Sequence, residues 1–198
     1  MIEIKDYNSI PWNNLVYYSP ESSTGLKWKN DVMSGIRIIK AGSDAGCIYN
    51  SGYGVLTFKG ERFSAHRVVW ILHYGKIDKQ LQIDHIDGNR SNNHISNLRL
   101  VSQEINGRNQ KLQSNNNTGI SGVFWESRQS SSKELLYASV DWHEYIDGVK
   151  CRKRKRFSTS KFGVLPAFSL AVKFREDQIN RLNLLGYGYL ERHGTKGE

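Results

Sequence analysis

The sequence predicts an α+β protein built from two small modules, and three stretches predict it. Residues 81–111, LQIDHIDGNRSNNHISNLRLVSQEINGRNQK, read as an apolar strand, a long polar loop and a helix. Residues 119–157 hold three strand-like runs, and a helix opens near Leu165 and Pro166. Between them LQSNNNTG, residues 112–119, reads as a polar tether. The expected boundaries are a first module over 1–113, a linker over 114–118, a second module over 119–184 and a tail over 185–198.

Taken in order, the opening residues MIEIKDYNSIPW show no apolar core behind a positive flank, so no signal peptide is expected. No run approaches the length that crosses a bilayer. Two cysteines do not make a disulfide scaffold, and an intracellular, reduced protein is expected. Leu15, Val16, Tyr17 and Tyr18 form a short strand or helix end, residues 19–25 a turn, and residues 25–29 a strand carrying Trp28. Residues 53–58 and 62–65 make a hairpin around a three-residue turn at Lys59, Gly60 and Glu61. From His66 to Tyr74, Val68, Val69, Ile71 and Leu72 are spaced for a buried helix face. Residues 75–79 then turn the chain back toward the strand at Leu81.

Asp84 and His85 end that strand. The loop Asp87, Gly88, Asn89, Arg90, Ser91, Asn92 and Asn93 is too rich in turn formers for the interior of helix or sheet. Val101 opens a helix with Ile105 and Asn109 on one side. A carboxylate, an imidazole and several amides therefore share one small region. Carboxylate and amide oxygens suit a hard divalent cation. An imidazole titrating near neutrality can take the proton of a water attacking phosphorus. The same residues also suit a calcium loop, a turn locked by side-chain-to-backbone bonds, or half of a zinc site. Zinc is disfavoured because Cys47 and Cys151 lie far apart without partners at finger spacing. An EF-hand is disfavoured because no Glu stands twelfth from Asp84 or Asp87 with acidic groups between. On chemistry alone, a metal-assisted phosphodiester site and a structural turn stay equally open.

The unbroken run DHIDGNRSNNHISNLR, residues 84–99, resembles the HNH endonuclease motif, in particular that of phage-type homing endonucleases. The resemblance implies a ββα-metal fold. Asp84 would be a metal ligand, His85 the general base, and Asn97 the amide that helps hold the loop and base. Asn106 would be the second ligand, projecting from the helix, and the site would take one Mg²⁺ or Mn²⁺. His66 and Arg67 match a His-Arg pair that family members often carry before the motif, which makes His66 a candidate beside the site. Arg99 is a candidate phosphate contact. Asn106 stands where colicin-type members have histidine, and this resembles the homing branch. Tyr18, Pro20, Gly25, Leu26 and Trp28 resemble the opening of many phage HNH proteins.

In the second module, residues 119–125, 135–142 and 149–157 are the three strands, with a serine-loaded loop over 127–134. Pro166 suits a first helical turn, and Ala167, Leu170, Ala171 and Phe174 form an apolar stripe. Three strands plus one helix make a self-sufficient α+β unit. Gly122-Val123-x-Trp125, Tyr137-Ala138-x-Val140 and Ala167-Phe168-x-x-Ala171 resemble the AP2-type DNA-binding domain that phage and plastid HNH enzymes often carry. That resemblance implies a sheet laid against the major groove. The third strand carries Lys150, Arg152, Lys153, Arg154, Lys155 and Arg156 and, with Lys161 beyond it, gives seven bases and no acid over 149–161. Alternation on a strand puts Arg152, Arg154 and Arg156 on one face and Lys153 and Lys155 on the other. Arginine grips phosphates and reads guanine edges.

A formal charge of +9, from 28 basic and 19 acidic residues, favours a polyanionic partner. The expectation is a metal-dependent, site-specific DNA endonuclease, a homing enzyme by resemblance. It would act on double-stranded DNA as monomer or homodimer, without a membrane, in the cytoplasm of a bacterial host and encoded by a phage. A restriction-type HNH nuclease is the near variant. An AP2-type DNA-binding regulator with a dead nuclease site is the rival, and the full set Asp84, His85, Asn97 and Asn106 speaks against it.

Overall fold

Short strands joined by glycine-bearing turns build the first of two units, Met1–Asn106, and a long-stranded sheet packed against a long helix builds the second, Gly107–Glu198. The computed structural model describes residues 6–110, 112, 114–130, 133–191 and 193–194. Among them no helix is long and apolar enough to cross a membrane.

In the first unit α1 (Trp12–Leu15) leads into β1 (Val16–Tyr18), which pairs antiparallel with β2 (Leu26–Trp28). β3 (Val32–Ser34) and β4 (Arg37–Ile39) form a separate hairpin. β5 (Cys47–Ile48), β6 (Gly54–Phe58) and β7 (Glu61–Ser64) follow as a three-stranded sheet. The β6–β7 turn has two residues rather than the expected three. Phe58 pairs with Glu61, and Lys59 and Gly60 take φ of 50° and 79°, the paired positive values of a tight hairpin turn.

β7 runs straight into α2 (Ala65–Tyr74), whose Ala65, His66, Val68 and Val69 are buried. They close a core with Trp12, Val16, Leu26, Trp28, Leu56 and Phe63. Burying each large apolar side chain of this kind contributes about 1.5–3 kcal/mol. β8 (Leu81–His85) pairs antiparallel with β9 (Leu98–Ser102), and α3 (Gln103–Arg108) follows directly. The helix starts later than Val101 because Val101 and Ser102 are still paired with Gln82 and Leu81.

The second unit opens before the polar stretch. Asn116, expected in a tether, accepts from Thr118 N and Gly119 N through Oδ1, and Thr118 Oγ1 donates to Val123 O. β10 (Val123–Ser130), β11 (Lys133–Ile146) and β12 (Val149–Ser158) form an antiparallel sheet in that order. The serine-rich stretch expected as a loop extends two of these strands, with Ser127 opposite Leu136 and Ser130 opposite Lys133. Ser131 and Ser132 at its tip lie outside the described residues.

After α4 (Thr159–Phe162), α5 (Val164–Leu184) buries Ala167 and Ala171 against Val123, Ala138 and Val140. Small residues on the helix let large rings fill the remaining space. Trp125 stacks on Phe168 with centroids 5.5 Å apart, and Trp142 meets Phe174 at 5.4 Å. Leu170, expected in the buried stripe, is exposed. Part of the expected tail belongs to this unit. Arg108 donates to Tyr187 O, Asn109 Nδ2 donates to Gly188 O, and Leu190 N donates to Asn109 Oδ1. The remainder of the tail expectation, at 192 and 195–198, lies outside the described residues.

Candidate active site and basic sheet

The hairpin register fixes the first site. Asp84 and His85 are the last two residues of β8, and they face Arg99 and Leu98 on β9. Both are buried, at 8% and 4% exposure. Arg99 Nε and Nη2 donate to Asp84 Oδ2 at 3.1 and 2.9 Å, so the candidate phosphate contact is an ion-pair partner of the candidate ligand. Asn106, on α3, donates from Nδ2 to Gln82 Oε1 at 2.7 Å. That bond commits its amide nitrogen, and oxygen is the atom with ligand chemistry.

The loop after His85 is held by its own side chains. Asp87 N donates to Asn97 Oδ1, while Asn97 Nδ2 donates to Asp87 Oδ1 and to Asn92 O. Asp87 Oδ2 accepts from Asn92 Nδ2. Burial pushes the Asp87 carboxyl up, but the amides of Asn92 and Asn97 outweigh it and hold the group below its ordinary value. Asn97 thus braces the loop.

The ring of His85 is held by a residue to which the sequence reading assigned no role. His85 Nε2 lies 3.0 Å from Asn93 Oδ1, and Asn93 Nδ2 donates to Thr24 O at 2.9 Å. With the amide nitrogen donating to a carbonyl, the oxygen must accept from His85, which places a proton on Nε2 and makes Nδ1 the atom that carries the lone pair in the neutral tautomer. Two glycines make room for this amide. A Cβ on Gly54 would lie 2.9 Å from Asn93 Nδ2, and one on Gly25 would lie 3.2 Å from Asn93 Cβ.

His66, on α2, packs its ring 5.0 Å from that of His85, and Tyr53 lies against both. Burial, then the neighbouring His85 and Arg67, push His66 down to about 3, so it is neutral at ordinary pH. Its Nδ1 is buried without a hydrogen-bond partner among the described residues. The guanidinium of Arg90 covers Tyr53 at 4.9 Å.

Residues 63–108 match the family described as HNH endonuclease. The chain contains an HNH endonuclease domain. The match runs from β7 to α3 and takes in His66, Asp84, His85, Asn97, Arg99 and Asn106. The HNH domain is related to phage proteins. Protein 3.8 of Escherichia phage T7 is 34% identical over 80 residues, 40% of this chain and 66% of that protein. DNA endonuclease I-HmuI of Bacillus phage SP01 is 35% identical over 83 residues, 42% of this chain and 47% of that protein. The chain therefore spans less than two thirds of the length of either relative. No solved structure gives a significant match. Among the described residues, no three His, Cys, Asp or Glu side chains gather as a metal cluster. The two ligands expected from the sequence, Asp84 on β8 and Asn106 on α3, are a carboxylate and an amide.

The second site is the open face of the β10–β11–β12 sheet. Helix α5 covers the other face, where Val123, Trp125, Ala138, Val140 and Trp142 lie. Alternation then puts Phe124, Glu126, Arg128, Ser139, Asp141, His143, Arg152, Arg154 and Arg156 on the open face. Lys153 and Lys155 fall opposite Trp142 and Val140, on the helix side. Arg152 Nε and Nη2 donate to Asp141, and Arg154 Nε and Nη2 donate to both oxygens of Asp141. Arg154 Nη1 reaches Glu126 at 3.2 Å, and Arg156 holds Glu126 from Nε and Nη2. Arg156 crosses the central strand to reach β10 because the residue between is Ser139, fully buried, whose Oγ itself donates to Glu126.

The arginines act on their partners. Hydrogen bonds from Arg156 hold the Glu126 carboxyl down to about 2. Burial raises Asp141, but Arg154 and Arg152 outweigh it and the net shift is downward. A depressed carboxyl stabilises the folded sheet fully above its unfolded value near 4.5, and that contribution is lost as pH falls toward 2. Thermal melts from pH 6 to 2 should show the wild-type midpoint falling more steeply below about 4.5 than that of Glu126→Gln. Parallel curves would remove Glu126 from the acid transition.

Proposed function

We propose that the chain is a divalent-cation-dependent, site-specific DNA endonuclease of the homing type, with a nuclease unit followed by an AP2-like DNA-binding unit. The observation that carries the reading is the His85–Asn93–Thr24 chain of hydrogen bonds, whose His85 and Asn93 lie with Asp84 inside the matched HNH region. It leaves His85 Nδ1 as a base beside an acidic ligand. In the proposed reaction Nδ1 takes the proton of a water that attacks the phosphodiester. Asn93 keeps the imidazole in one tautomer and stabilises the imidazolium that forms. Neutral His66 and Tyr53 wall the ring from bulk water on one side.

The oxygens of Asp84 and Asn106 fit a hard cation such as Mg²⁺ or Mn²⁺. When bound there, such an ion supplies charge neutralisation at the scissile phosphate and leaving oxygen. Arg99 pairs with Asp84 and, released from it, would hold a flanking phosphate. The AP2-like reading of the second unit rests on its three strands, its single packed helix and the arginine row on the open face.

The direct test is incubation of the full chain with phage DNA and with supercoiled plasmid carrying a cleaved site, with Mg²⁺ and with EDTA. Cleavage only with the cation supports the reading; cleavage unaffected by EDTA, or none with Mg²⁺ or Mn²⁺, rejects it. One HNH site cuts one strand, so the first plasmid product is expected to be open circular. Asn93→Ala should lower kcat by about 10–10²-fold with little change in KM, because a misplaced base costs roughly that much. An unchanged kcat would show that His85 is positioned without Asn93.

A further inference from the structure

Seven bases on and beside one strand look like a diffuse positive field, but the open face is not uniformly basic. Glu126 and Asp141 sit in the middle of it, with side chains only 16% and 15% exposed. Duplex DNA repels carboxylates, so two of them inside a DNA-facing row oppose binding electrostatically. As members of an arginine network the two acids stabilise the folded sheet, which is one reason for them.

Their geometry supplies another. Arg154 has all three nitrogens engaged, two with Asp141 and one with Glu126. Its ring neighbour Phe124 lies 5.0 Å beneath the guanidinium. Arg152 and Arg156 are each gripped from Nε and Nη2 alone, by Asp141 and Glu126 respectively. Their Nη1 groups are not used in that grip. Arg152 is the most open of the three, at 61% side-chain exposure against 33% for Arg156 and 26% for Arg154. An arginine held along one edge of its fork loses little further freedom on meeting a phosphate or a guanine edge, whereas a free one must be ordered.

We propose that Glu126 and Asp141 are specificity-determining residues of a duplex-DNA-binding face: they hold Arg154 as a strut and fix the spacing at which Arg152 and Arg156 present their outer edges to DNA. The inference rests on the reading of this unit as DNA-binding. It assigns the acids a cost in affinity and a gain in discrimination, and it separates three arginines that the sequence presents as equivalents. The match is to duplex DNA because the face carries a surplus of arginine at fixed intervals along a strand, the arrangement that suits a groove lined by phosphates.

The experiment uses the full chain in EDTA, where binding is read without cutting. A pool of random-sequence duplexes is bound and sequenced, and affinity for one arbitrary duplex is titrated from about 50 to 200 mM salt. Wild-type protein should enrich a motif. Glu126→Gln and Asp141→Asn should bind the arbitrary duplex about tenfold tighter near 0.1 M salt, with a slope steeper by about one unit, and should flatten the motif. Glu126→Asp keeps the charge that the folded sheet uses but withdraws the carboxylate by one methylene. It should keep the wild-type slope and still blur the motif, which a purely electrostatic role would not do. A wild-type motif and wild-type slope in all three variants would overturn the proposal while leaving DNA binding intact. Failure of wild-type protein to bind any duplex would instead reject the DNA-binding reading, and the proposal with it.

Discussion

Turnover of DNA cleavage should fall by about 10²-fold or more when His85 is replaced with alanine, with DNA affinity close to that of the parent. His85 is 4% exposed and its Nε2 is committed to Asn93, so on the proposed mechanism its removal takes away the base without disturbing an exposed surface. Loss of the base leaves water as the proton acceptor, and the attack on phosphorus slows accordingly. Single-turnover cleavage measured beside gel-shift affinity separates the two effects. Near-wild-type turnover of H85A would remove His85 from the chemistry, and a parallel loss of affinity would mean that the variant is misfolded.

The second large effect concerns the arginine row. Replacing Arg152, Arg154 and Arg156 together with alanine should weaken duplex binding about 10²-fold near 0.15 M salt, and lower the salt slope by roughly two to three units. The loss exceeds a simple count of contacts because Glu126 and Asp141 are then left unpaired on the same face. Lys153→Ala with Lys155→Ala should cost far less, since these side chains fall on the helix side of the sheet. Equal effects from the two sets would show that the strand acts as an undirected positive field.

Residues close in sequence were legible; residues joined by register or packing were not. Asp84, His85 and Asn97 fall within one local run, and its spacing was readable as a motif. Asn106 follows because only a strand and a helix turn separate it from that run. Asn93 was visible as a loop amide, but its bond to His85 depends on Thr24, which lies 69 residues away, and on space left by Gly25 and Gly54. The Asp84–Arg99 pair required the β8–β9 register, which no single-strand pattern specifies.

In the second unit the period-2 pattern placed the arginines on one face correctly. It could not show that Glu126, 30 residues before Arg156 and two strands away, would reach it across a serine. The serine-rich stretch misled because serine favours turns in isolation. In the sheet its strands continue through it under cross-strand pairing.

The clasp around Asn109 bears on the order in which a newly made chain folds. Its two bonds join residues 79 and 81 positions apart, and bridging so long a loop costs chain entropy before the contacts compensate. In the first unit, by contrast, β8, β9 and α3 meet within a few tens of residues. A chain emerging amino end first can therefore complete the HNH hairpin while residues 187–190 are still unmade. At roughly 5–20 residues per second the gap lasts on the order of several seconds. On the proposed division of labour, every molecule passes through a stage in which the cutting half is assembled and the choosing half is not.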